Sequence, residues 1–505
     1  MNNLYKYIAG IIGMIGAISC TNLDEQIYSN IPKEEFFNSE EQLVVYSARA
    51  YTKLQAWGSE QSLWTLNIQL SDELAAPKNS VNDWVDPRYK ELQTHIIPNS
   101  NKLVRMGWDY CFDGIAACND VIYEIEKSTF EFDGKKTVLA EMKVLRAFFY
   151  FCAMDCWGNI PFSISKEAEG YPEQKDRKFI FDFLVQEIND NIEFLADQPT
   201  SEYYGRITQG VAYTLLAKLY LNAEVWIGKP MWAEAESACK TIIDNGWYSL
   251  AEKYKDNFKI ANETSKECIF SIPYSTIHTK SDHNDFVIFI LTLPPVLCEK
   301  YGIPAAGWDG FIAQPDFIST YDEKDIRKAA TWIYGQQYDI HGNPIYVISE
   351  DVPESRYSEG RPENEGARVG KWEYQSDGLL TSDQTSMDND FFVFRYADVV
   401  LMYVEALVRQ NRVTEAAQVE DFKKIRTRAG LEPMTAAELT LENLLMERSH
   451  ELAIEGWKRQ DQIRFGTYSR SWWAKPNTTP DHAYLLPIPK ERLNANPNLT
   501  QNPGY

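Results

Sequence analysis

Clusters of positive charge are missing from this chain. Its 505 residues hold 50 Lys and Arg against 73 Asp and Glu, a formal net charge of −23. No basic run stands out of the kind that displaces counterions from a phosphate backbone. Nucleic acid and anionic membrane surfaces are therefore poor partners. Histidine is scarce, with six residues scattered between His95 and His482. His450-Glu451-Leu452-Ala453-Ile454 begins like the zinc-protease HExxH but carries Ile454 where the second imidazole must stand, which leaves one metal ligand on the helix in place of two. There is no GxSxG elbow, no GxxxxGK[ST] phosphate loop, no Cys-x-x-Cys and no DxDxDG calcium loop. These absences assign no catalytic residue, no metal and no cofactor. With 73 acidic residues, two carboxylates facing one sugar stay possible, so a surface glycosidase is kept as an alternative.

Long apolar runs are missing too. The one candidate, Tyr7 to Ile18 after Lys6, is shorter than the roughly 20 residues a bilayer span needs and reads as an export signal over residues 1–19. Ala17-Ile18-Ser19-Cys20 resembles a bacterial lipobox, with Ala17 where Leu is usual. It predicts acylation of Cys20, the alternative being an ordinary signal peptide with an incidental cysteine. Asp24-Glu25 soon after that cysteine looks like the surface-export signal of Bacteroidota lipoproteins. If Cys20 is acylated, seven of the eight cysteines remain, an odd number, and no disulfide framework is inferred.

What is abundant is apolar and aromatic. Hydrophobic residues make up 44% of the chain and aromatics 13%, including 14 Trp and 29 Tyr. Apolar residues recur at helical spacing near 39–56, 104–127, 134–156, 178–196, 207–224 and 231–245, and again near 392–410, 414–429 and 439–456. The predicted fold is mainly α. Between 134 and 245 the helices come in pairs with small residues such as Ala212, Ala217, Ala235 and Ala238 at close-packing positions, similar to degenerate tetratricopeptide repeats. The stretch about 270–390 is instead rich in Gly, Pro, Asn and Asp, with a hairpin expected over Thr331 to Ser349, turning at His341-Gly342-Asn343-Pro344.

In 392–410 an apolar stripe of Phe394, Ala397, Leu401, Val404 and Val408 runs beside Arg395, Asp398, Glu405 and Arg409, spaced as helical charge pairs. Glu447, Glu451 and Glu455 line one face near Arg448, Lys458, Arg459 and Arg464, which reads as a structural ion-pair network before a carboxylate site. The closing PIPKERLNANPNLTQNPGY is too rich in Pro and Asn for regular structure throughout and is expected to wrap the body as a tail.

These C-terminal phrases, FVFRYADVVLMYVEALVR, KIRTRAGL, ERSHELAIEGWKRQDQIRFG and the final LLPIPKERLNANPNLTQNPGY, together resemble the SusD/RagB family. The likeness extends upstream through AEMKVLRAFFYFCAMDCWGNIPF, GRITQGVAYTLLAKLYL and GWDGFIAQPDFISTYDEKDIR. It implies a SusD-like fold over residues 20–505: tetratricopeptide-like helix pairs at about 39–250, a loop-rich ligand-binding insert with short β-hairpins at about 270–390, and C-terminal helices and tail at 391–505. It also implies a non-enzymatic surface lipoprotein of the outer membrane that passes oligosaccharides to a SusC-like TonB-dependent transporter. Peptides or other nutrients are the alternative cargo, and a purely structural role is a further one.

A sugar site needs aromatic faces for the C–H surface of the ring beside groups that hydrogen-bond its hydroxyls. Trp84, in PKNSVNDWVDPRYKE with Arg88 nearby, and Trp308, in GIPAAGWDGF, stand in loop-like surroundings and are the predicted platforms. Asp72, Arg88, Asn284 and Arg368 are the predicted polar contacts, from loop chemistry alone. Trp332 and Trp372 are weaker candidates, since Trp332 alternates within an expected strand.

Overall fold

The structure, a computed structural model, describes residues 39–505 apart from 80–86, 168, 198, 280–285, 304–306 and 375–386. Six helices follow the apolar periodicity of the N-terminal half: α1 Glu40–Tyr51, α2 Lys102–Lys127, α3 Lys135–Trp157, α4 Arg177–Asn191, α5 Gln209–Ile227 and α6 Trp232–Asn245. The starts of α1, α2 and α4 are set by side chains that satisfy the first free N–H groups. The Asn101 carbonyl oxygen accepts from Leu103 and Val104 at 2.9 and 3.1 Å, and Asp176 accepts from Phe179 at 2.8 Å. The helices pack as sequential neighbours, α2 on α3, α3 on α4 and α5 on α6, which is the expected paired arrangement. Gly114 lets α2 and α3 close up: a Cβ there would sit 2.5 Å from the Phe149 ring.

The strands are short and pair antiparallel in twos. Apart from the pair Ile160–Pro161 and Gln174–Lys175 between the N-terminal helices, they are β1 Leu74–Ala75, β2 Cys268–Ile272, β3 Ile312–Ala313, β4 Trp332–Ile333, β5 Gly335–Tyr338, β6 Pro344–Ile348, β7 Arg368–Val369 and β8 Phe391–Arg395. β1 pairs with β3, β2 with β8, β4 with β7 and β5 with β6. The expected hairpin is β5–β6, closed by Asp339, whose carboxylate accepts from the N–H groups of His341 and Asn343, both at 2.8 Å. Trp332 leaves that hairpin to pair with β7 and is buried. Trp372 is buried as well.

The three longest C-terminal helices among the described residues follow: α7 Tyr396–Arg409, α8 Glu420–Arg428 and α9 Leu441–Glu451. Here the structure corrects the sequence reading in two places. The segment expected as helix from 392 begins as strand β8, whose five residues are all buried; a strand covered on both faces shows no alternation, so its apolar run is not separable from the helix that follows. Helix α9 stops at Glu451, short of the expected 456, because the chain turns there. Ile454 has φ of 65° and gives its N–H to Glu73 at 2.7 Å.

That turn redraws the ion-pair network without changing its structural character. Arg327 bridges Glu447 at 2.7 Å and Glu451 at 3.0 Å, Arg395 reaches Glu451 at 2.8 Å and Glu455 at 2.9 Å, and Arg428 reaches Glu451 at 2.6 Å. The cations next to these acids in sequence serve others: Arg448 holds Asp398 and Asp461, each at 2.9 Å, and Arg459 holds Asp155 at 3.1 Å. Of the charge pairs read along 392–410, Glu405 and Arg409 meet at 2.7 Å. Arg395, on the strand, does not pair with Asp398, which takes Lys218 at 2.6 Å.

The tail packs back onto the body. It carries one short helix, Lys490–Ala495, and then Asn502 donates to the carbonyls of Trp157 and Leu486 at 2.9 and 2.7 Å. The seven described cysteines are buried and unpaired, and burial pushes the thiols of Cys111 and Cys152 well above the usual range. Among the described residues no helix is long and apolar enough to cross a membrane.

Candidate ligand-binding site

Trp308 is the predicted platform that the structure lets us build from its surroundings. The chain reaches it after a short helix, Ile288–Thr292, whose carbonyls have no further turn to donate N–H groups to them. The segment 308–311 supplies the donors: Trp308 N–H to Ile290 O at 2.8 Å, Asp309 to Leu293 O at 3.2 Å, and Gly310 and Phe311 to Leu291 O at 2.9 Å each. Such close backbone approach requires glycine at 307, where a Cβ would run into the Leu293 carbonyl oxygen. The Gly307 N–H points at Cys298 Sγ, 3.0 Å away. Trp308 itself is half-buried and packs against the core.

The next residue fixes the turn from beneath. Asp309 has φ of 51° and is fully buried, and so are the two guanidiniums that hold it. Arg368 donates to one Asp309 carboxylate oxygen from Nε at 2.9 Å and Nη2 at 2.6 Å; Arg361 donates to the other from Nη1 at 3.2 Å and to the Asp309 backbone carbonyl from Nη2. Asn79 reaches the same carbonyl at 3.0 Å, and the Arg361 N–H bonds Lys78 O at 2.9 Å. Burial and the neighbouring Arg368 bring Arg361 down to about 10. Burial, then the charge of Glu363, raises the Tyr346 hydroxyl. Three stretches far apart in sequence, 78–79, 307–310 and 361–368, thus meet around one residue, Asp309.

The other predicted contacts fall differently. Arg368 is corrected: it is no loop residue open to ligand but a fully buried part of β7, spent on Asp309 and on the carbonyls of Glu363, Glu365 and Gly366. Asp72 is half-buried and ion-paired to Lys458 at 2.8 Å. Arg88 lies in the helix Pro87–Gln93, half-buried, with its guanidinium 5.9 Å from the Tyr89 ring centre. Trp84, Asn284 and Cys20 lie outside the described residues. His450, of the incomplete HExxH, is packed inside. It stacks on Tyr321 at 3.9 Å with Nε2 2.8 Å from Thr320 Oγ1, and burial depresses its imidazole.

Sequence reading passed over Asp309 and Arg361. The available signal was the Gly307-Trp-Asp-Gly310 run, since Asp is among the few side chains that tolerate positive φ. Its partners, 52 and 59 residues onward, leave no local trace. Among the described residues no group of three or more His, Cys, Asp or Glu is placed to hold a metal ion. A cleft of about 360 Å³ on the helical part, lined by Phe112, Asn119, Asp120, Tyr150 and Lys166, includes none of the predicted contacts, and its polar groups are largely spent on one another.

Known proteins are similar along nearly the whole chain. A family model described as SusD family matches residues 244–481 and 466–505, and another, described as starch-binding associating with outer membrane, matches residues 22–221. The starch-binding protein SusD of Bacteroides thetaiotaomicron is 26% identical over 412 residues, 72% of each chain. SusD-like protein P2 of Formosa agariphila is 23% identical over 99% of both chains. Among solved structures, surface glycan-binding protein A from Bacteroides thetaiotaomicron in complex with laminarihexaose matches with a TM-score of 0.75 at 22% identity, over 92% of this chain and all of that one. A laminarin-binding SusD-like protein gives 0.76 at 21% identity, over 93% of this chain and 100% of that one.

Proposed function

The chain belongs to the SusD family, and on that premise we propose that it captures oligosaccharides at the cell surface and hands them to a SusC-like TonB-dependent transporter, without cleaving them. The observation that carries this reading is the Trp308 turn: a partly exposed tryptophan on a backbone bonded at four successive residues. A platform fixed before binding loses little freedom when a sugar ring stacks on it. Trp84, Asn284 and Arg88 are the further contacts proposed from sequence, with Asp72 free to bind only by sharing Lys458. Support comes from two similar proteins named as starch-binding and glycan-binding, and from the family description that ties such chains to the outer membrane. Attachment to that membrane is proposed through acylated Cys20. Native gels cast with starch, laminarin or other polysaccharides test the reading, followed by chromatography of oligosaccharides left with the protein. Retardation by one polysaccharide with no shorter products supports capture; shortened products make it a glycosidase, and no retardation by any glycan turns the reading to another nutrient.

A further inference from the structure

The geometry points to Asp309 as a positioning residue that holds Trp308 in place through the two buried guanidiniums of Arg361 and Arg368. Trp308 makes its backbone bond to Ile290, and Asp309 makes the next one to Leu293. Together with the bonds of Gly310 and Phe311 to Leu291, they hold a backbone in which Asp309 sits at φ of 51°, a region that is sterically unfavourable for any residue with a Cβ. What compensates is the carboxylate below. It takes three charge-assisted bonds, two from Arg368 and one from Arg361, while the Asp309 carbonyl takes Asn79 and Arg361. All four side chains are buried, so these bonds are not weakened by water. Arg361 and Arg368 are braced in turn by the carbonyls of Pro362, Glu363 and Glu365. The cluster therefore ties the residue after the platform to strand β7 and to the chain at 78–79.

Asp309 never meets a ligand in this arrangement; it acts through Trp308. The consequence for sugar binding rests on the capture reading, whereas the positioning itself does not. Swapping the carboxylate for an amide keeps tolerance of positive φ but removes the charge; swapping it for alanine removes both.

The test is ¹⁹F NMR of the full chain labelled with 5-fluorotryptophan, the Trp308 line being assigned with Trp308→Phe. The variants are Asp309→Asn, Asp309→Ala and Arg361→Met, the last keeping the Asp309–Arg368 pair so that the protein retains one balanced charge pair. The lines of buried Trp57 and Trp157 report the rest of the fold. The expected result is a Trp308 line that shifts or broadens, least in Asp309→Asn and most in Asp309→Ala, while those of Trp57 and Trp157 stay, with amide exchange at 308–310 faster by roughly tenfold or more. An unmoved Trp308 line in all three variants, or one that moves only together with Trp57 and Trp157, overturns the proposal. Calorimetry with laminarihexaose, maltohexaose and any polysaccharide that retards the wild type on gels, run on the same samples, separates the two claims: a wild type that binds none of them counts against the capture reading and leaves the NMR result to decide the role of Asp309.

Discussion

Arg395 and Glu451 meet at 2.8 Å with neither side chain exposed, joining the end of strand β8 to the last residue of α9. Arg395 also takes Glu267 at 2.6 Å and Glu455 at 2.9 Å, so one guanidinium ties three acids. Breaking a buried pair from one side costs about 3–5 kcal/mol because it strands charge. Each of these acids keeps a second cation, Arg428 for Glu267 and Glu451 and Lys371 for Glu455. Arg395→Met is therefore expected to lose stability at the lower end of that range, read from urea unfolding. A loss below about 1 kcal/mol would mean the network is as weak as exposed pairs are.

Acid should undo the same half of the molecule. Burial alone would raise the Glu405 carboxyl, but Arg464 and Arg409 outweigh it and bring it down to about 2, from 4.5 unperturbed. A carboxyl depressed on folding contributes stability above its unfolded value that is lost as pH falls through the folded one. The window is therefore about pH 4.5 to 2, and the contribution of this one group is about 3 kcal/mol. Unfolding free energy measured across that window should fall less steeply in Glu405→Gln than in wild type. Equal slopes would contradict the ion-pair account of Glu405.

Gly307 permits the platform turn only because it has no Cβ to meet the Leu293 carbonyl. Gly307→Ala forces backbone to move, and such overpacking costs about 1–3 kcal/mol. Glycan affinity is expected to fall along with the thermal midpoint, whereas Trp308→Phe should lower affinity with little change in the midpoint. A Gly307→Ala protein that binds and melts like wild type would show that the turn has slack the structure does not display.

Cys20 is proposed to carry the lipid. Cys20→Ser expressed in the native host is expected to lose incorporation of labelled palmitate and to leave the outer-membrane fraction. Retention in that fraction with no label would point to another anchor.

Much of the architecture was legible because it is periodic. Helices α2, α4 and α6 each present an apolar stripe at helical spacing, α3 and α5 are long apolar segments buried on most sides, and Asn101 and Asp176 mark two of their starts. Boundaries failed where tertiary contacts decide: β8 is buried on both faces and shows no alternation, and α9 ends because Glu73, 381 residues away in sequence, captures the Ile454 N–H. At the candidate site, Gly307 and Trp308 could be picked out from loop chemistry. Arg368 misled for the same reason that it matters. A charged residue in a Gly- and Glu-rich stretch reads as solvated, and only the fold brings it to the buried Asp309 carboxylate.

Calorimetric titration of laminarihexaose and maltohexaose into the wild-type chain and Trp308→Ala tests the central claim most directly. The account predicts that at least one of these, or a longer glycan of either type, binds the wild type, that the affinity falls by roughly tenfold or more without the indole face, and that the sugar is recovered uncut. Binding that is unchanged in Trp308→Ala would remove the platform from the account, and a folded wild type that binds no glycan would contradict oligosaccharide capture itself.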